Sequence, residues 1–290
     1  MAQITLTGGV TFTGGATITS TPPPPAEFDL TDDTFNITTW GGDPNIGTVY
    51  AFTWGDSGNK FYVTDSTYNF REFNCSTPYD LNTTSYVQGN NRPAIDYSRG
   101  PRGMLFNSAG TRLIGQADWF FYTYNLSSAW DVSSISSLAA ANNINSQQGG
   151  GVNAGTNYNG LDYDAAEDKV YSIAYANRDE VSAMSNSWQY LYYDSGSSLT
   201  LSSVAGFPGD QQGFAFNKDG TKFVTANRFG AALNIWNMTT AYDVTTASYG
   251  NALDLSSVGI AGNGVIDIVF SDDYTKLFLL NNTTVTMLSQ

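Results

Sequence analysis

The sequence contains no histidine and only one cysteine, Cys75. Without an imidazole, a Ser-His-Asp triad is excluded and a cysteine nucleophile lacks its usual base. A single cysteine also excludes an internal disulfide and a structural zinc site built from Cys and His ligands. We therefore interpret Cys75 as a buried or half-buried strand thiol. We predict no metal site and no cofactor.

Basic residues are also scarce. The chain has 12 Lys and Arg against 26 Asp and Glu, which gives a net charge of −14 and a pI near 4.1. Binding to nucleic acid requires clustered basic residues that replace counterions, so the composition argues against it. The main basic cluster apart from the repeats described below is Arg92, Arg99 and Arg102. It could bind an anion, or its arginines could pair with acids and carbonyls of their own loop.

Long apolar runs are missing as well. No run of 18 apolar residues exists to span a membrane, and "MAQITLTGGV" lacks the basic and apolar regions of a secretory signal. We therefore expect a protein that is made in a cytoplasm. Sustained helical periodicity is absent too, whereas aromatic residues make up 14% of the chain and glycine occurs 29 times. This composition favours many short strands and tight turns, which is an all-β class.

A β-hairpin pattern recurs along the chain. In "FNKDGTKF", residues 216–223, apolar residues alternate on both sides of an Asp-Gly pair, which suits a tight turn. Related hairpins occur at four other places, each with one basic residue at the start of its second strand. These residues are Lys60, Arg112, Lys169, Lys222 and Lys276, with spacings of 52, 57, 53 and 54 residues. We therefore predict that Asp219-Gly220 builds a turn and has no catalytic role.

A second motif, an aromatic residue followed by Asp, lies 19 to 25 residues after each of the first four basic residues. Its aspartates are Asp80, Asp131 and Asp243, with a weaker copy at Asp194. The last hairpin has no copy behind it, but a fifth copy at Asp29 precedes the first hairpin. The repeat therefore closes on itself, as a ring of blades requires. We predict a five-bladed β-propeller over residues 27–290, with its last blade completed by an N-terminal strand. The third repeat departs most, since it lacks the Asp-Gly pair and has an insertion at residues 177–188.

Residues 1–21 form a distinct arm. Apolar residues alternate there with threonines and are interrupted by paired glycines, which indicates short strands. The main apolar residues are Ile4, Leu6, Val10, Phe12 and Ile18. Residues 22–26 contain four prolines and predict an extended linker. Because the arm is too small to bury its own apolar face, we expect it to dock by strand addition on a larger assembly or on copies of itself. The alternatives are a flexible tail or an extra strand pair on the propeller flank.

Three groups of residues are weaker candidates for a site. Paired carboxylates for glycoside hydrolysis could come from Asp162, Asp164, Glu167, Asp168, Asp179 and Glu180, but they form no diagnostic pattern and a solvated acidic loop is the better explanation. "DLTDDT" and "SDDYT" offer oxygen ligands without the spacing of a dedicated calcium loop. The aromatic runs at residues 118–124 and 187–193 could stack on sugars, or could fill a core between sheets.

The repeat resembles that of a known group of proteins. "FNKDGTKFV" and "NMTTAYDVTTASYG" are similar to repeats of phage virion proteins, and "NLSSAWDVSSIS" and "NCSTPYDLNTTSY" follow the second of these patterns. "TLTGGVTFTGGATIT" resembles the opening of structural proteins from marine phages, including those of cyanobacteria. The hairpin turn also resembles the Asp-box of sialidases, which is structural in that family.

The resemblance implies a non-enzymatic virion structural protein, displayed as a tail fibre, a tail appendage or a head decoration. Residues 1–20 would contact other virion proteins, several copies would be present in each particle, and the propeller could contact a host glycan or receptor. No nucleic-acid or membrane partner is implied. The protein would be made in the host cytoplasm and exposed on the released particle. The alternative is a lectin-like propeller or a glycan hydrolase of the sialidase type.

Overall fold

The computed structural model describes most of the chain after residue 25 and is all-β. The described ranges are 26–30, 34–43, 46–67, 69–90, 102–117, 120–144, 157–164, 169–175, 180–186, 191–227, 230–256, 264–281 and 284–290. They contain five four-stranded antiparallel sheets, which are the five blades of a β-propeller. Between or after strands lie five short 3₁₀ helices: η1 (Asp56–Gly58), η2 (Leu81–Thr83), η3 (Val132–Ser134), η4 (Leu201–Ser203) and η5 (Val244–Thr246).

Each blade has four strands, which run in order from the innermost to the outermost. Blade 1 contains β2 (Val49–Gly55), β3 (Lys60–Asp65), β4 (Phe70–Cys75) and β5 (Thr84–Asn90). Blade 2 contains β6 (Gly103–Phe106), β7 (Arg112–Ala117), β8 (Phe120–Leu126) and β9 (Ile135–Asn143). Blade 3 contains β10 (Asn157–Asp164), β11 (Lys169–Tyr175), β12 (Glu180–Asn186) and β13 (Leu191–Thr200). Blade 4 contains β14 (Gln211–Phe216), β15 (Lys222–Asn227), β16 (Ala232–Met238) and β17 (Ala247–Asp254). Blade 5 contains β18 (Val265–Phe270), β19 (Lys276–Asn281), β20 (Thr284–Ser289) and β1 (Asn36–Trp40).

The core lies in the joints between neighbouring blades, which we call seams. Each of the five hydrophobic clusters joins one pair of neighbours, for example blades 5 and 1 or blades 1 and 2. Strand β3 shows why its residues are apolar on both faces: Phe61 and Val63 pack toward blade 5, whereas Tyr62 packs toward blade 2. A sheet covered on both faces needs apolar side chains at successive positions.

The two aromatic runs divide between core and surface. In the run at 118–124, Phe121, Tyr122 and Tyr124 are buried, which confirms the core interpretation for them. In the run at 187–193, Leu191 is buried but Tyr192 is 58% exposed. Residues 118–119 and 187–190 lie outside the described residues.

The ring is closed by the N-terminal strand, as the repeat predicts. Strand β1 pairs antiparallel with β20, from Asn36 opposite Ser289 to Trp40 opposite Val285. Trp40 then enters the seam with blade 1, where its ring centroid lies 5.1 Å from that of Phe61. The sheet of blade 5 is therefore assembled from the two ends of the propeller sequence.

In blades 1, 2 and 4, the turn between the first and second strands contacts the aromatic-Asp motif of the same blade. Gly220 has a φ of +66°, and a Cβ added to it would lie 2.4 Å from the ring of Tyr242. The N–H of Tyr242 donates to the carbonyl of Gly220 at 2.8 Å. Gly58 with Tyr79, and Gly110 with Trp130, repeat both contacts in blades 1 and 2. The second motif is therefore the turn between the third and fourth strands, folded over the turn between the first and second.

Blade 5 has the same backbone hydrogen bond, made between residues on the two sides of the closure. Tyr274 replaces the turn glycine and takes a φ of +59°, while the N–H of Phe28 donates to its carbonyl at 2.7 Å. Phe28-Asp29-Leu30 thus supplies the second motif that the last repeat lacks. We call the face of the ring that carries all these turns the turn face.

The third repeat differs from the sequence prediction. Asp194 lies inside strand β13, opposite Ala183 of β12, and not at a turn between two strands. Its carboxylate accepts from the N–H of Gly196 and the hydroxyl of Ser197. The 3₁₀ helix η4 follows β13 instead of preceding it, and four residues separate β12 from β13 where eight separate the third and fourth strands of blades 1, 2 and 4.

The predicted arm, residues 1–21, and Pro22–Pro25 of the linker lie outside the described residues, which begin at Ala26. The anchoring residues Ile4, Leu6, Val10, Phe12 and Ile18 belong to this part of the chain.

We predict that Gly220→Ala lowers the free energy of unfolding by about 2 to 4 kcal/mol, because the added methyl group is strained at positive φ and overlaps the ring of Tyr242. Gly41→Ala is the control, since its φ is not positive and no atom lies within 4 Å of the added Cβ. Denaturant unfolding of both variants measures the difference. Equal stability of the two would show that the stacked turns do not hold the blade.

Candidate functional site

A cavity of about 480 Å³ opens on the ring axis at the turn face. The ends of all five innermost strands contribute to it, together with the turns that follow β2, β6 and β18. Among the described residues, the charged ones that line it are Asp56, Asp162 and Asp272, and all three are acidic. A fold does not determine a function, so the side chains around the cavity decide its chemistry.

Asp162 on β10 joins blade 3 to blade 4. One of its carboxylate oxygens accepts from the N–H of Phe216 at 2.7 Å, and the other accepts from the N–H of Tyr163 at 2.7 Å. Burial raises the pKa of Asp162 to about 6 against these two donors, and the neighbouring Asp164 contributes to the rise. A carboxylate held by two backbone donors is fixed in place and has a positioning role between blades.

Asp267 on β18 joins blade 5 to blade 1 in the same way, through two backbone N–H groups. Its Oδ2 accepts from the N–H of Phe52 at 3.3 Å and its Oδ1 from the N–H of Ile268 at 3.0 Å. The residue is 2% exposed, and burial raises its pKa to about 8. Sequence reasoning missed this residue. Asp267 lies three positions before Phe270, the aromatic residue near the end of the innermost strand. At the same position the other repeats have Ala51, Gly103, Gly160 and Gly213. An acidic residue among small ones was therefore the signal that could have revealed it.

The candidate hydrolytic carboxylates do not converge. Asp164 is buried near Asp162, and Glu180 is buried at the start of β12, where it accepts from Ser182 and Tyr193. On β11, the partner of Asp162 is Tyr171 and the partner of Glu180 is Ala174. Three residues of strand separate these partners by about 10 Å. Glu167, Asp168 and Asp179 lie outside the described residues.

The basic residue of each repeat begins the second strand of its blade. Lys60 Nζ lies 2.6 Å from Glu72 Oε1 and donates to the carbonyl of Trp130 in blade 2 at 2.9 Å. Lys276 Nζ in blade 5 donates to the carbonyl of Tyr79 in blade 1 at 3.4 Å. These two lysines therefore reach across seams. Lys169 instead contacts Ser197 of its own blade, and Lys222 and Arg112 occupy the same strand position.

Glu72 of blade 1 adds hydrogen bonds across the seam with blade 2. Sequence reasoning missed this residue as well. It is 1% exposed, and its second oxygen accepts from the N–H of Val132 at 3.0 Å and from Gln88 at 3.1 Å. Gln88 also donates to Asp131 at 2.7 Å. A buried carboxylate is tolerated here because each of its oxygens has a charged or N–H donor.

The repeat aspartates cap 3₁₀ helices. Asp80, Asp131 and Asp243 accept from the backbone N–H two residues later, at the starts of η2, η3 and η5. Asp219 accepts from the N–H and the hydroxyl of Thr221, and the hydroxyl bond is the main cause that lowers its pKa. Asp29 contributes its backbone, which bonds Gln290 in both directions at 2.6 and 2.8 Å. The repeat aspartates therefore have structural roles at turns and 3₁₀ helices. The hydrogen bonds of Asp219 agree with the interpretation of Asp219-Gly220 as a turn.

The remaining candidates offer no reactive group. Cys75 is a free, buried thiol, and burial raises its pKa to about 12, so it stays protonated at neutral pH. Arg102 is described, whereas Arg92 and Arg99 lie outside the described residues. Within the described ranges, no group of three or more His, Cys, Asp or Glu is placed to hold a metal ion. In those ranges, too, no helix is long and apolar enough to cross a membrane.

Comparison with known proteins adds no family to these observations. The sequence matches no protein-family model and no curated protein. Its role therefore has to be inferred from the residues, the repeat and the fold.

We predict that Asp267 makes the propeller less stable as the pH rises. Its folded pKa of about 8 lies above the ordinary value of 3.8, so the folded state holds a proton that the unfolded state releases. The stabilising contribution is complete below about pH 4 and is lost as the pH rises towards 8.

Asp267→Asn should therefore flatten the fall in stability between pH 5 and pH 9, as followed by denaturant unfolding about once per pH unit. Asp254→Asn removes an equal charge from a carboxylate on β17 whose pKa is lowered by Ser256, so it serves as the control. A pH profile of Asp267→Asn that parallels the unmodified protein would contradict the prediction.

Proposed function

We propose that this protein is a non-enzymatic structural component of a bacteriophage particle, with residues 1–21 as its anchor and the propeller as the displayed domain. The observation that carries the proposal is that the ring closes with β1, which follows the arm in the sequence. Residues 1–25 precede the closing strand, and the five blades are complete without them. We therefore assign the alternating apolar residues of the arm to attachment.

The geometry of the closure suits a single tether. Phe28 bonds to Tyr274, and Asp29 bonds to Gln290, so the start and the end of the propeller sequence meet at one place on the turn face. Glu27 lies 3.2 Å from Lys218 on the same face. A pull on the arm would be passed to blade 5 through these contacts and the β1–β20 pairing.

The ring suits exposure on a particle. Closure gives every blade two neighbours, so the sheets pack face to face around the ring, and the edge strands of each sheet are an innermost one at the axis and an outermost one at the rim. Among the described residues, the large exposed apolar side chains lie on the outermost strands β1, β5, β9 and β13: Ile37, Tyr86, Val87, Leu138 and Tyr192. Because they are distributed over four blades, they do not form one patch on a face of the ring.

The proposed mechanism is mechanical. A rigid ring is presented on a short proline-rich linker and held by strand pairing of the arm with neighbouring virion proteins, and several copies in a particle act together by avidity. The absence of histidine from the sequence and the separation of Asp162 from Glu180 support a non-enzymatic role.

Replacement of the five arm residues Ile4, Leu6, Val10, Phe12 and Ile18 by serine should abolish attachment, because the apolar face that pairs with the particle is lost. Phage particles made without this protein are mixed with the full-length variant and sedimented. The unmodified protein should sediment with the particles, and the variant should stay in the supernatant with an unchanged melting temperature.

The matched control replaces Thr5, Thr7, Thr11, Thr13 and Thr17 by serine, which changes the same number of residues in the same segment. It should bind like the unmodified protein. Sedimentation of the apolar variant with the particles, or failure of the unmodified protein to bind, would overturn the proposed anchor.

A further inference from the structure

The outermost strand of each blade differs from the others in its free edge. Among the described residues, it pairs with the third strand of its blade and has no strand on its other side. An added strand can bond to the N–H and C=O groups of such an edge, and bulges are a common protection because they interrupt the regular spacing of these groups. Four of the five outermost strands show an interrupted register against their neighbour: β5, β9, β13 and β17.

Strand β1 of blade 5 is the exception. It pairs with β20 residue for residue, from Asn36 opposite Ser289 to Trp40 opposite Val285, without a shift. Its five residues include no charged side chain and no proline. Every second residue of an edge strand directs its N–H and C=O outward, so about two or three residues of β1 are available for pairing. Strand β1 is therefore the outer edge that best suits strand addition.

Ile37 shows which face an added strand would extend. It is 44% exposed and lies opposite Leu288, which belongs to the buried cluster between blades 4 and 5. Because directly opposed residues share a face of the sheet, Ile37 continues this apolar row to the free edge. Thr39 lies on the same face, whereas Thr38 and Trp40 lie on the other. A strand with apolar residues on one face only would cover Ile37.

The arm contains segments of this length and pattern. Residues 4–7, 10–13 and 16–19 read ITLT, VTFT and ATIT, and glycine pairs separate them. As a strand, each would place its apolar residues on one face and its threonines on the other, for example Val10 and Phe12 beside Ile37. Neither residues 1–21 nor β1 contain a charged side chain, although the chain has a net charge of −14. The pairing therefore buries no charge.

The linker favours the edge of a second molecule. Asp29 bonds to Gln290, which follows the partner of Asn36, so the chain enters the ring beside the start of β1. Residues 22–25 are four prolines, which as a polyproline helix span about 12 Å. Each proline fixes its own φ and holds the preceding residue extended, so a sharp reversal back to the nearby edge is disfavoured. A hinge that cannot fold back favours exchange between molecules.

We propose that the free edge of β1 binds an arm segment from a second copy of this chain, with residues 10–13 paired along it. The contact is head-to-tail, because arm and edge are different parts of the molecule, so each copy donates one arm and accepts another. This inference rests on the proposed attachment role of the arm and names a second copy as its partner. Copies linked in this way gain avidity on a particle.

Sedimentation velocity of the full-length protein, from about 10 µM to about 1 mM, tests the contact. A single added strand is a small interface, so we expect weak self-association with Kd on the order of 0.1 mM. Ile37→Lys places a charge on the edge and should weaken the association at least tenfold. The variant with serine at the five apolar arm positions should weaken it equally.

Val87→Lys is the matched control. Val87 is 42% exposed on β5, the outermost strand of blade 1, and lies at the register shift of that strand. The variant carries the same added charge as Ile37→Lys on an edge that is already interrupted. It should associate like the unmodified protein. Equal melting temperatures of all variants show that the ring is intact.

A mixing experiment identifies the two halves of the contact. Ile37→Lys keeps its arm, and the five-serine variant keeps its edge. Neither should associate alone, but an equimolar mixture should form a one-to-one complex. Pairing of two β1 edges predicts instead that the five-serine variant associates by itself. Docking of each arm on its own edge predicts monomers in every sample. Either result would overturn the proposal.

Loss of association in Val87→Lys, as complete as in Ile37→Lys, would also contradict it. The sedimentation with particles described above keeps this inference distinct from the anchor. A monomeric protein that binds particles through its arm would reject the contact between copies and leave the anchor in place. Arm-dependent association between copies, without binding to particles, would support the contact and reject the anchor.

Discussion

The structure depends on the pairing of β1 with β20. Four blades have all their strands in one continuous stretch of sequence, but blade 5 is made from residues on both sides of them. If β1 is absent, β20 becomes an edge and Trp40 leaves the seam with blade 1, where it packs on Phe61 and Phe73. The ring is then open at one seam, and the five seams are where the core of this protein lies. Closure therefore determines the fold as a whole, and it also brings the start of the propeller, the end of the sequence and the axial cavity to the same face.

Most of this architecture could be predicted because the residues that recur in each repeat form local turns and contacts. A turn glycine at positive φ lies under the aromatic residue of the next turn, so Gly220 and Tyr242 have to occur together at a fixed interval. In blade 5 the corresponding hydrogen bond comes from the other end of the propeller sequence, since the N–H of Phe28 donates to the carbonyl of Tyr274. Asp194 was misleading because an aromatic-Asp pair also fits inside a strand, and a sequence pattern without the turn glycine does not distinguish the two.

The cavity and the buried carboxylates were harder to predict. Asp162 was a candidate for hydrolysis because it lies in an acidic stretch, but its two backbone hydrogen bonds give it a place between blades 3 and 4. Asp267 and Glu72 belong to no sequence motif, because they bond to the N–H groups of Phe52 and Val132, which lie in neighbouring blades. Contacts between repeats depend on the rotation from one blade to the next, which has no sequence signature. The turn face thus combines the start of the propeller, where the proposed tether would join it, with a cavity that only the assembled ring reveals.

A disulfide across the closure would test the ring most directly. Thr39 on β1 lies opposite Thr286 on β20, so cysteines at these two positions face each other on neighbouring strands. With Cys75→Ser in the background, the pair Thr39→Cys and Thr286→Cys should oxidise quantitatively and stabilise the folded protein by about 2 to 4 kcal/mol over its reduced form. The pair Thr39→Cys and Ser248→Cys, with Ser248 on the outer strand of blade 4, should stay reduced. A Thr39–Thr286 pair that remains reduced under the same oxidant, or oxidises no faster than the control pair, would contradict the closed five-bladed ring.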